Sequence, residues 1–161
     1  MEPDWPSGMK GLVPIEEMRG DDEEDMALLT KLKQLATNYV LSFPWCVSIL
    51  DIYFGDGVGG IVAVFLFHIV PARPRVDEWL WVVVGDLPSA YFVTDDLKSP
   101  YEVLEAYIEH RERWIRHAAV GEPAPHDVMS TGVPSSPYWA SELSGRMKFL
   151  REQVLPYFRN E

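Results

Sequence analysis

The sequence predicts an α+β protein in which one helix precedes a four-stranded antiparallel meander and two helices follow it, in the order α-β-β-β-β-α-α. Residues 79–84, W-L-W-V-V-V, are the β-branched and aromatic residues that strands favour. The turn residues G-D-L-P at 85–88 interrupt this run, and the strand pattern returns at 91–94. The segment S-P-Y-E at 99–102 is typical of a helix start, with serine as N-cap, proline at N1 and glutamate at N3.

An irregular acidic arm is expected at residues 1–20, which hold three prolines and three glycines and show no hydrophobic period. From residue 22, apolar residues recur at three- and four-residue steps, which predicts the first helix of a single domain spanning residues 21–161. Its apolar positions are Met26, Leu29, Leu32, Leu35, Ala36, Tyr39 and Val40. Phe43-Pro44 ends this helix, because the residue before a proline avoids the helical conformation.

Two further strands are predicted at residues 45–54 and 61–70, joined by the glycine-rich turn G-D-G-V-G-G at 55–60. Both faces of the 61–70 strand are apolar, and the 79–84 strand shows the same feature. An antiparallel sheet with one solvent-exposed face would alternate between apolar and polar residues. Both sides of the central strands are therefore expected to be covered, either by helices or by another subunit.

Two helices complete the predicted fold. The second helix spans residues 100–119, and the third begins at Ser136-Pro137. Apolar residues repeat helically along the third helix, and Pro156 ends or kinks it.

The composition predicts a soluble, cytoplasmic protein without a membrane segment. The longest nearly apolar stretch, residues 58–70, is much shorter than the roughly 20 residues of a membrane-spanning helix. The first residues, M-E-P-D-W-P-S-G, lack the basic and apolar segments of a signal peptide. The single cysteine, Cys46, cannot form an intramolecular disulfide.

The negative charge is concentrated near the N-terminus. The chain has a formal net charge of −11, and residues 1–25 hold nine acidic residues against Lys10 and Arg19. Nucleic-acid binding is disfavoured, because phosphate contacts need clustered lysine and arginine. A basic protein is the natural electrostatic complement of such a chain.

The acidic run of five residues is the first candidate site. It consists of Asp21, Asp22, Glu23, Glu24 and Asp25. Acidic residues at a helix N-terminus interact favourably with the helix dipole, so the run is interpreted in one way as a helix start. Five consecutive acids exceed what capping requires, so the alternative is an acidic surface that docks on a basic protein, as nuclease inhibitors do.

The second candidate site surrounds the turn after the tryptophan-rich strand and contains Asp86, Tyr91, Asp95 and Asp96. Neighbouring carboxylates can support acid–base or cation chemistry. In the structural alternative, Gly85 adopts a conformation that a side chain would penalise and the Asp86 carboxylate accepts backbone hydrogen bonds. No metal site or cofactor is predicted, because the histidine and cysteine spacings match no metal motif.

The run W-V-V-V-G-D-L-P-S-A-Y, from Trp81 to Tyr91, resembles an uncharacterised bacterial family of unknown function. Members of that family share a tryptophan-rich strand, a G-D-[LV]-P-x-x-Y turn and two following helices, which here carry Trp114 and Arg146. The resemblance covers residues 40–155 and leaves out the acidic arm. It implies the fold and a bacterial origin, and it transfers no catalytic residue.

The leading functional hypothesis is a non-enzymatic, acidic protein-binding domain, in its most concrete form an immunity or antitoxin protein that inhibits a basic protein. The first alternative is an enzyme or small-ligand binder that uses the Asp86–Tyr91 turn. The second alternative is a homo-oligomeric structural subunit whose apolar sheet face contacts another copy of the chain.

Overall fold

The computed structural model describes residues 3–128 and 131–161 and confirms the α+β class. Its helices are α1 (Glu23–Leu41), α2 (Pro100–Ala118) and α3 (Pro137–Phe149). Its strands are β1 (Val13–Pro14), β2 (Cys46–Val58), β3 (Val62–Pro71), β4 (Trp79–Gly85) and β5 (Leu87–Val93). They form one antiparallel sheet in the order β1-β2-β3-β4-β5.

The described sheet has five strands where four were predicted, because the predicted arm supplies β1. Val13 pairs with Phe54 and Pro14 pairs with Tyr53, on the outer side of β2. A strand of two residues is too short to show an alternating pattern, so the sequence could not reveal it. Residues 3–20 also bury Met9 and Met18, and they therefore pack on the domain.

β2 continues beyond its predicted end and includes part of the glycine-rich segment. Gly55 and Gly57 lie within this strand, and glycine is required at both positions because there is no room for a side chain. A Cβ at Gly55 would lie 2.8 Å from Pro100 Cγ, and one at Gly57 would lie 2.9 Å from Ala63 Cβ. The predicted hairpin turn is confirmed but is shorter, at residues 59–61, where Gly60 has a φ of +77°.

The central strands are buried on both faces of the sheet. Every side chain of β3 from residue 62 to 67 and of β4 from residue 80 to 84 is buried. The first face packs against α2 and the C-terminal segment, and its core includes Val62, Val64, Leu66, Trp81, Val83, Leu104, Tyr107, Ile108, Met147 and Leu150. The second face packs against α1, and its core includes Ala63, Phe65, Phe67, Leu80, Val82, Val84, Leu29, Leu32, Ala36 and Val40.

The expectation that both faces are covered is confirmed, and the cover comes from the same chain. Besides the helices, Trp5 and Leu12 pack on the first face. Full burial of a leucine or phenylalanine side chain contributes about 1.5–3 kcal/mol, so each layer stabilises the fold substantially. In the part of the chain that the structure describes, both apolar faces of the central strands are therefore already covered.

α1, α2 and α3 each begin at a side-chain cap, as the sequence predicted for the second helix. The Asp22 carboxylate accepts a hydrogen bond from the Asp25 N–H, and the Ser99 and Ser136 hydroxyls accept bonds from residues Glu102 and Trp139. Each satisfies an N–H group that the first helical turn leaves without a backbone partner.

The C-terminal helix changes geometry before it ends. α3 is followed by a π-helical turn, Leu150–Val154, and by a 3-10 turn, Leu155–Tyr157. Pro156 has no N–H to donate, which accounts for the loss of regular helical bonding near it. The prediction that Pro156 ends or kinks the helix is confirmed.

Side chains from α2 cover the outer edge of β5. The Tyr107 hydroxyl donates to the Pro88 carbonyl at 2.6 Å, and the Arg111 guanidinium donates to the Ser89 carbonyl at 3.3 Å. Arg111 is fully buried and lies over the Tyr107 ring at 5.0 Å. The unpaired backbone groups of an edge strand can pair with a strand of another molecule. Here the Tyr107 and Arg111 side chains bind the Pro88 and Ser89 carbonyls of β5.

No helix in the described part of the chain is long and apolar enough to cross a membrane.

We expect Gly85→Ala to lower the free energy of unfolding by about 2–4 kcal/mol. The reason is steric, since a Cβ at this position would lie 2.1 Å from the Ile61 carbonyl oxygen and the φ angle is +157°. Gly145→Ala is the control, because no described atom lies within 4 Å of its Cβ position. Alanine in that helix should stabilise by up to about 1 kcal/mol. Urea denaturation measures both, and equal midpoints would contradict the steric account.

Candidate functional site

Two of the five acids in the acidic run have structural roles. Asp22 Oδ1 accepts a hydrogen bond from the Asp25 N–H at 2.8 Å and caps α1. Asp25 Oδ2 accepts one from the Asp21 N–H at 2.8 Å, and Asp25 Oδ1 accepts one from the Gly59 N–H at 2.7 Å. Charge-assisted bonds of this kind are stronger than neutral ones. The Asp25 carboxylate therefore joins the start of α1 to the β2–β3 turn.

The contact between Asp25 and the turn requires glycine at position 59. A Cβ there would lie 2.6 Å from Asp25 Oδ1 and 2.7 Å from Leu28 Cβ. The sequence suggested a glycine-rich turn and an acidic helix start, but nothing in either pattern indicated that the two meet.

The remaining acids of the run are exposed. Glu16 and Glu17, on the short 3-10 turn Ile15–Glu17 that precedes the run in the chain, are exposed as well. We call these five exposed acids, Glu16, Glu17, Asp21, Glu23 and Glu24, the acidic patch. None of the five carboxylates forms an ion pair within the described residues. Arg19 lies between them in sequence, but its guanidinium donates to the backbone carbonyls of Glu16 and Met18.

A further carboxylate, Asp56, ties the C-terminus to the sheet. Asp56 Oδ1 accepts from the Gly57 N–H at 2.9 Å, and Asp56 Oδ2 accepts from the Arg159 N–H at 2.9 Å. Burial raises the pKa of Asp56 and outweighs the lowering effect of these two hydrogen bonds. The sequence predicted a turn at Asp56 and indicated no role for its side chain, since its partner Arg159 is at the far end of the chain.

The structure does not bring the second set of candidates together. Asp86 is the single residue between β4 and β5, whereas Asp95 and Asp96 follow the other end of β5. β5 has seven residues and rises about 3.3 Å per residue, so its ends are roughly 20 Å apart. Tyr91 lies along the strand and packs on the second face. These four residues do not form one site.

The Asp86 side chain does not have its expected structural role. Its carboxylate is 74% exposed and lies 3.6 Å from Arg146 Nε, and it accepts no backbone hydrogen bond within the described residues. The turn is held instead by the Asp86 N–H, which donates to the Ile61 carbonyl at 3.0 Å. The companion expectation for Gly85 is confirmed by its φ of +157° and by the absence of space for a Cβ.

Asp86 does border a groove of about 470 Å³ between the β4–β5 turn and α3. Its charged rim is formed by Asp86, Glu142 and Arg146. Its apolar lining includes Ile61, Leu87 and Phe149. The volume is within the range of small-molecule sites. Asp86 stood out in the sequence, but the α3 residues did not, because only folding places them opposite the turn.

Within the described residues, no group of three or more histidine, cysteine, aspartate or glutamate side chains is placed to hold a metal ion.

Comparisons of the chain with models of known families, with curated proteins and with solved structures found no match.

We expect Asp25→Ala to lower the free energy of unfolding by about 2 kcal/mol, because the N–H groups of Asp21 and Gly59 lose their acceptor. Glu24→Ala removes an equal charge from the same helical turn and no hydrogen bond, so its effect should stay below about 1 kcal/mol. Chemical denaturation of both variants measures the difference. Equal losses of stability would show that Asp25 acts only through its charge.

Proposed function

We propose that this chain is a non-enzymatic, protein-binding domain whose partner is a basic protein, in the manner of immunity or antitoxin proteins that inhibit a basic protein. The observation that carries this proposal is the acidic patch, whose carboxylates are exposed and form no ion pair in the described structure. Asp22 and Asp25 form hydrogen bonds that stabilise the fold, and they are therefore not counted in the acidic patch.

Electrostatics explains how such a patch would act. The whole chain has a formal net charge of −11, so its long-range field attracts a basic partner. Exposed charges of one sign accelerate encounter by roughly 10- to 1,000-fold at low salt, while they contribute less to the lifetime of the complex.

A sheet edge beside the acidic patch also supports protein binding. β1 pairs only with residues 53 and 54 of β2, so the outer edge of β2 from residue 46 to 52 has no strand partner in the described structure. Val47 and Leu50 on this segment are exposed. A groove of about 320 Å³ follows the edge, and its charged lining residues are Glu16 and Asp51. An extended basic segment could add to such an edge as a strand.

We also propose that the domain acts in the cytoplasm and that it binds neither nucleic acids nor membranes. Acidic residues outnumber basic ones, at 25 against 14, and the acidic patch would repel phosphate groups.

One observation favours the alternative of a small-ligand binder at the Asp86 groove. Gly145 lines this groove within α3, where glycine costs about 1 kcal/mol relative to alanine, yet no described atom lies near its Cβ position. Octanoate and octylammonium, which carry opposite head groups on one apolar chain, would test the groove. Saturable binding of either, lost in Gly145→Leu, would favour this alternative.

The second alternative, a homo-oligomer, would show a mass that rises with protein concentration.

We expect Glu23→Gln/Glu24→Gln to slow association with the basic partner several-fold and to flatten its salt dependence, while dissociation changes little. The partner is captured from a bacterial lysate at low salt, released at high salt, purified and measured by surface plasmon resonance. These two positions are chosen because Asp22 and Asp25 hold the helix start.

The matched control is Asp95→Asn/Asp96→Asn, which removes the same charge from exposed positions at another part of the surface. It should associate like the wild-type chain at each salt concentration. Equal association rates for the two double variants, or failure to recover any basic protein, would contradict the proposed function.

A further inference from the structure

An aromatic cluster lies where α1 ends and β5 passes. The Phe43 and Trp45 rings are stacked at 4.7 Å between centroids, and Tyr91 lies 5.2 Å from Trp45 and 5.3 Å from Phe43. Tyr39 completes the cluster at 5.1 Å from Phe43. The sequence did not indicate this cluster, because Tyr91 is distant in the chain from the other three residues.

Two of these aromatic residues line a small cavity, which we call the aromatic pocket. It has a volume of about 260 Å³ and is lined by Trp45, Tyr91, Leu80, Val76, Val93 and Asp77. The Trp45 and Tyr91 rings contact each other at an angle of 60°, and both residues line the same space. Asp77 is exposed and is the one charged residue among these lining residues.

This combination of groups suits a positively charged organic group. Aromatic faces carry partial negative charge and attract a cation within about 6 Å of the ring centroid. The Asp77 carboxylate adds a full negative charge, and the apolar residues favour the alkyl groups around the cation. The volume is below the roughly 300 Å³ at which pockets for drug-sized ligands begin, so the pocket suits a head group or one side chain.

Tyr39 and Phe43, the other two residues of the aromatic cluster, pack against the pocket residues and carry no charge. Burial and the neighbouring Tyr91 raise the pKa of Tyr39 to about 12, so its hydroxyl stays neutral at physiological pH. Phe43 is neutral and packs against both Trp45 and Tyr91. The negative charge of the pocket therefore comes from Asp77.

We propose that the aromatic pocket binds an organic cation, an alkylated ammonium or a guanidinium group, against the rings of Trp45 and Tyr91 with Asp77 as its counter-ion. Such a group belongs either to a free small molecule or to a lysine or arginine side chain of a protein. The second source rests on the proposed function, and the first does not.

The pocket is separate from the acidic patch. α1 has 19 residues, and at about 1.5 Å per residue it separates the patch at its start from the cluster at its end by roughly 28 Å. Glu23→Gln/Glu24→Gln should therefore leave binding to the pocket unchanged, which keeps a failure of this inference distinct from a failure of the proposed function.

Isothermal titration calorimetry with choline tests the pocket, and dimethylbutanol, the neutral tert-butyl isostere of choline, is the control ligand at equal ionic strength. We expect saturable binding of choline and binding of the isostere weaker by at least about tenfold. Asp77→Asn should weaken choline binding by about tenfold, whereas Asp95→Asn should not. Trp45→Leu should abolish binding and Trp45→Phe should retain most of it; circular dichroism verifies that each variant folds.

The acetylated methylamides of arginine and trimethyllysine distinguish the two sources of the cation. Tighter binding of choline than of these amides assigns the pocket to a free small molecule, and the reverse order assigns it to a protein side chain. If neither choline nor the amides bind better than dimethylbutanol, or if Asp77→Asn binds choline like the wild-type chain, the proposal is wrong.

Discussion

The burial of β3 and β4 on both faces of the sheet is the constraint on which the rest of the structure depends. Residues 62–67 and 80–84 offer no polar side chain to solvent, so a stable fold needs an apolar layer on each side. α1 supplies one layer, and α2 with the C-terminal segment supplies the other. α1 precedes strands β2–β5 in the chain and α2 and α3 follow them, so the two layers come from opposite sides of this segment in sequence.

A few polar contacts between distant segments connect these layers to the sheet. Asp25 binds the turn at Gly59, and Asp56 binds the backbone of Arg159 near the C-terminus. Each carboxylate accepts two backbone N–H groups, which makes it costly to remove. Because so few acids serve the fold in this way, the remaining acidic side chains near the N-terminus are available to a partner. The proposed function is an inference from that surplus.

The sequence revealed features that depend on neighbouring residues and missed those that depend on distant ones. The cap at Ser99, the role of Gly85 and the burial of both strand faces were predicted, because local pattern and sterics determine each of them. β1, the Asp25–Gly59 bond and the aromatic pocket were not, because they arise only when separate segments meet. The set around Asp86 was misjudged, since proximity along a strand was taken for proximity in space.

Native-state hydrogen exchange of the backbone amides tests the central structural claim most directly. If the chain itself covers both faces, the amides of β3 and β4 should exchange only through global unfolding, and their protection should be the same in dilute and in concentrated solution. Protection that falls on dilution would show that a second copy supplies part of the cover. Exchange in β3 and β4 as fast as in β1 would contradict the doubly buried sheet itself.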